Sequence, residues 1–143
     1  MRLITSCAVF FLAVLVPYGG AVRAQSYPPG TKVKAVYQGS VANTQELTGT
    51  IDGQHLQMAT TYYVNGSEVD MTVDGTLNGK TLSYTIKFAV SAYSSTCTAT
   101  GSATADSGEI KIPLDNMQPD NNFCHQSGSA GYRRNMTIQM PAQ

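Results

Sequence analysis

The sequence has no tryptophan and little charge: acidic and basic residues make up 13% of its 143 residues, nine of each sign. A protein that neutralises a phosphate backbone needs clustered Lys and Arg. Here Lys32, Lys34, Lys80, Lys87, Lys111, Arg133 and Arg134 are scattered, so no nucleic-acid partner is expected. A sustained helical period is also missing, which argues against a helix bundle or alternating βαβ units. Histidine is scarce, with His55 and His125 alone. No apolar stretch reaches the roughly 20 residues that span a bilayer as a helix, so no membrane span is expected.

The longest apolar run, Cys7 to Val16, follows the positive start Met1-Arg2 and is ended by Pro17. Small residues then lead to Val22-Arg23-Ala24. Charge, apolar core and small-residue cleavage site stand in the order of a secretory signal. Residues 1–24 are therefore expected to be removed and residues 25–143 to form a single β domain, periplasmic or extracellular. Cysteine usage agrees. With Cys7 lost, Cys97 and Cys124 remain as an even pair in an oxidising compartment, and one disulfide is expected. A metal site would need more than these two thiols and His125. The segment Asp115 to Asn122 is rich in oxygen ligands, and Asp115 and Asp120 are its calcium candidates. It lacks the Gly and terminal Glu of an EF-hand, and Asp and Asn are ordinary turn residues. No cofactor is expected.

What the chain does have is Thr, Ser, Val, Tyr and Gly in strand-sized runs between turn dipeptides. Ser26 to Gly30, with two prolines, reads as a loop. Lys32 to Gln38, Glu46 to Ile51, Thr96 to Thr104, Glu109 to Leu114 and Arg133 to Met140 read as strands, with Asp52-Gly53 and Ser107-Gly108 as turns. Asn65-Gly66 and Asn78-Gly79 sit between alternating segments, as central residues of type I′ hairpins. Counting outward from the first places Tyr62 opposite Val69, Thr60 opposite Met71 and Met58 opposite Val73. Counting from the second places Val69 opposite Phe88, Met71 opposite Ile86, and Val73 opposite Tyr84. One apolar face results, with Asp70 and Lys87 paired on the other. The expected fold is all-β, an antiparallel meander of about seven or eight strands in a small closed barrel. A two-sheet sandwich is the alternative.

Chemistry is less legible. No Gly-x-Ser-x-Gly elbow surrounds Ser127 or Ser129. Glu68, Asp70 and Asp74 alternate along one strand, the pattern of a solvated sheet face, and a glycosidase would need two carboxylates at a set separation beside aromatic platforms. Asn65-Gly66-Ser67 and Asn135-Met136-Thr137 match the glycosylation acceptor pattern. In outline the meander resembles small barrels of the lipocalin and avidin type. Their Trp-containing motifs are absent, so no fold, ligand or residue carries over. The leading expectation is a non-catalytic binding module for a ligand or another protein, with Met58, Tyr62, Met71 and Tyr84 as candidate pocket lining. The alternatives are a structural or interaction protein of the envelope or extracellular space, and a small hydrolase using His55 or His125.

Overall fold

The structure, a computed structural model, describes residues 26–40, 43–115, 117–119, 124 and 134–143. The proposed signal segment lies outside these residues. Eight strands follow in order: β1 (Tyr27–Ser40), β2 (Asn43–Gly53), β3 (His55–Val64), β4 (Ser67–Asn78), β5 (Thr81–Val90), β6 (Ser95–Thr104), β7 (Glu109–Pro113) and β8 (Asn135–Gln139). All pairings are antiparallel, in one sheet ordered β6-β5-β4-β3-β2-β1-β8-β7. The two ends of that order are consecutive in the chain. Around Ser107-Gly108, Asp106 and Glu109 exchange backbone hydrogen bonds of 2.8 and 2.9 Å. Further along, Thr98 and Gln118 exchange two of 2.7 Å. These pairs pin β6 to the β7 side, giving a nearly closed up-and-down barrel. The two-sheet alternative does not occur.

Strand alternation fills this barrel. Leu47, Ile51, Leu56, Met71, Leu82, Ile86, Ile110, Ile112, Met136 and Ile138 are completely buried, and no polar or charged residue is buried among those described. Eight strands enclose a bore just wide enough for such side chains. Beside the seam, Cys97 on β6 joins Cys124 through a disulfide with Sγ–Sγ 2.04 Å, both residues buried. Leu114 and Met117, also buried, pack into the core from the segment after β7.

The first Asn-Gly hairpin forms as its sequence dictates. Asn65 and Gly66 have φ of 49° and 80°, the two positive angles of a type I′ turn, and Val64 pairs with Ser67. Met58, Thr60 and Tyr62 face Val73, Met71 and Val69 as counted. The second hairpin differs. Asn78 pairs with Thr81, so Gly79 and Lys80 are the central residues. Gly79 alone carries a positive φ, 61°, as a type II′ turn requires. Every partner on β5 therefore moves by two positions: Val69, Met71 and Val73 face Val90, Phe88 and Ile86. A shift of two preserves the inner face. It sets buried Leu77 opposite buried Leu82, where the expected register would have set Leu77 opposite Lys80. On the outer face, Lys87 pairs with Thr72 and Asp70 with Ala89, so the expected Asp70–Lys87 pair does not form.

Two further expectations change. The Pro-containing segment is not a free loop: β1 begins at Tyr27, and the ladder to β2 skips from Tyr27–Gly53 to Thr31–Ile51. The prolines lie in that irregular stretch, where no ladder donor is required. The β6–β7 hairpin stops after its first pair, because β7 continues along β8 instead. Pro113 belongs to the last pair of that ladder, opposite Asn135.

Candidate functional site

Of the residues expected to line a pocket, Met58, Met71 and Tyr62 stand inside the barrel and pack the core. Tyr62 belongs to an aromatic cluster with Tyr37, at a centroid distance of 6.2 Å, and Tyr37 lies 5.1 Å from Phe88. Burial holds the Tyr62 hydroxyl well above the ordinary tyrosine range, and hydrogen bonding to Tyr37 adds to this while Arg134 opposes it. Tyr84 also stands on the inner face, in phase with Leu82 and Ile86. It is half-buried and packs against the core, burial raises its pKa, and between Gly75 and Gly101 it leaves only backbone to the outer surface.

That surface has a built polar order. On the outer face of β3 and β4, each carboxylate is met by a cross-strand donor. Tyr63 Oη donates to Glu68 at 2.9 Å, and Thr61 Oγ1 to Asp70 at 2.6 Å. Asp74 Oδ2 is approached by His55 Nε2 at 3.0 Å and by Gln57 Nε2 at 3.4 Å. The Glu68 contact raises the Tyr63 pKa, since a neutral phenol is the better donor to a carboxylate. Antiparallel pairing explains the order, because these partners sit directly opposite or one step diagonal.

Next to Asp74 the outer face sinks into a shallow cleft of about 320 Å³. Its polar lining is Asp74, Thr76, Ser83, Thr85 and Thr100, with Gly75, Tyr84 and Gly101 completing it. The rows Asp74–Thr85–Thr100 and Gly75–Tyr84–Gly101 cross β4, β5 and β6. A Cβ on Gly101 would stand 2.8 Å from the Tyr84 hydroxyl oxygen, so glycine is what lets the tyrosine ring lie over the edge strand. A second depression, of about 280 Å³, lies at the barrel mouth among Tyr27, Leu77, Lys80, Ala105, Met140 and Pro141. There Tyr27 Oη donates to the Pro141 carbonyl at 3.2 Å.

Sequence reasoning missed Thr76, Ser83, Thr85, Thr100 and Gly101. The available signal was weak: glycines inside strand patterns, which mark close approach of a neighbour. His55 comes to the cleft through Asp74. Among the described residues, no group of three or more His, Cys, Asp or Glu gathers as metal ligands. Asp115 is exposed, while Asp120, His125, Ser127 and Ser129 lie outside the described residues. Asn65 is exposed at its turn, and Asn135 opens β8. Among the described residues, no helix is long and apolar enough to cross a membrane. Compared with known proteins, the chain matches no family model, no curated protein and no solved structure.

Proposed function

We propose that this chain is an exported, non-catalytic binding module that holds its ligand in the cleft on the outer face of β4, β5 and β6. The observation that carries the reading is the cleft itself, where an oriented carboxylate and four hydroxyl side chains surround a floor left open by Gly75 and Gly101. A rigid barrel beneath supports it, since a packed core keeps the strands and their outward side chains in place. Purification from the native extracellular or periplasmic fraction, with mass spectrometry of what co-purifies, supplies the test. A bound compound should shift the backbone amide signals of Asp74, Thr85 and Gly101. A compound that binds while leaving those signals unchanged refutes the site. The same material gives the mature N-terminus, expected near Gln25.

One observation favours a second reading, a hydrolase. His55 lies 3.0 Å from Asp74, the arrangement of a base and its orienting carboxylate. Both side chains are about half exposed, at 49% and 60%, and water competes for such a pair. Among the described residues, His55 forms no hydrogen bond to a hydroxyl that could serve as nucleophile. His55→Gln separates the readings: a binding module keeps its ligand, and a hydrolase loses turnover.

A further inference from the structure

We infer that the cleft binds a neutral saccharide, an inference that rests on the binding-module reading and gives its ligand a chemical class. The argument is one of matching donors and acceptors. Thr76, Ser83, Thr85 and Thr100 each offer one donor and two acceptor positions, and Asp74 accepts only. Among the described residues, no Lys or Arg lines the cleft. An anion would therefore meet a carboxylate with no cation to offset it. An apolar ligand would strip water from the hydroxyls and give nothing back, costing about 1–3 kcal/mol per unsatisfied group. A ring carrying several hydroxyls meets both demands, exchanging hydrogen bonds in either direction.

Asp74 is prepared for that exchange. His55 and Gln57 both approach Oδ2, which fixes the carboxylate from the β3 side and leaves Oδ1 to a ligand hydroxyl. The volume, about 320 Å³, is at the lower end for ligand sites, and the cleft is shallow. It therefore suits one or a few sugar units, including units within a longer glycan.

The experiment uses the intact mature protein against an array of neutral and anionic glycans, with a fatty acid as apolar control. Amide shift mapping then locates each binder. A neutral glycan should bind and shift the signals of Asp74, Thr76, Thr85 and Gly101. Asp74→Asn and Thr100→Arg, both at exposed positions, should weaken it at least tenfold while leaving the urea midpoint near that of the parent. A neutral glycan that binds elsewhere, or whose affinity neither variant changes, overturns the assignment. If only an anionic glycan or the fatty acid shifts these signals, the saccharide class falls and the binding site stands. If nothing on the array and nothing co-purified from the native source touches the cleft, the binding reading falls as well.

Discussion

Removing the disulfide should both destabilise the barrel and open it at one place. Cys97 and Cys124 are 27 residues apart, and in the chain-entropy treatment closing a loop of that length stabilises by about 3.5 kcal/mol at 25 °C. Both residues are buried, so Cys97→Ala with Cys124→Ala also loses some packing. The bridge holds the segment after β7 against β6, one residue from the Thr98–Gln118 pair. Urea unfolding of the parent and the double variant measures the total. With a slope of about 1–3 kcal/mol per molar, the midpoint should fall by roughly 1–3.5 M. Amide exchange locates the effect: Thr98 and Gln118 should lose protection first, ahead of the β3–β4 ladder. A loss under about 1 kcal/mol would refute the loop-entropy argument. Equal loss of protection across the sheet would show that the bridge does not act through the seam.

Three other outcomes follow from the same packing. Met71→Ala, at a completely buried position, should cost about 2–5 kcal/mol, while Asp70→Ala should cost under about 1 kcal/mol because Asp70 is exposed and accepts from an exposed hydroxyl. Urea denaturation of the two variants compares them, and the reverse ranking would contradict the inner and outer faces. Gly66→Val places a β-branched residue at φ 80° and should destabilise the first hairpin by at least about 1 kcal/mol, measured in the same way. Tyr62 titrates near 10 in the unfolded chain and well above that in the fold, so the unfolded state binds fewer protons at high pH. Its contribution is intact below pH 10 and is lost as pH rises further, by up to about 1.4 kcal/mol per unit. Stability of the parent and of Tyr62→Phe, followed from pH 8 to pH 12, should show a shallower fall in the variant.

The alternation of Val69, Met71 and Val73 between Glu68, Asp70 and Asp74 was enough to assign inner and outer faces without coordinates. So was Asn65-Gly66, because positive φ at both central positions is a local demand that few dipeptides meet. The cysteine count, with one cysteine in the expected signal, identified the disulfide partners. Asn78-Gly79 was different: Gly79 can serve as either central residue, and moving the turn by one residue moves the register by two. A side-chain period of two cannot detect that shift. Only the packing of Leu77 against Leu82 decides it, and with it the placement of Tyr84 between Gly75 and Gly101. The cleft was illegible for the same reason. Its residues come from three strands, and their meeting depends on cross-strand register, a property of the assembled sheet and not of any segment.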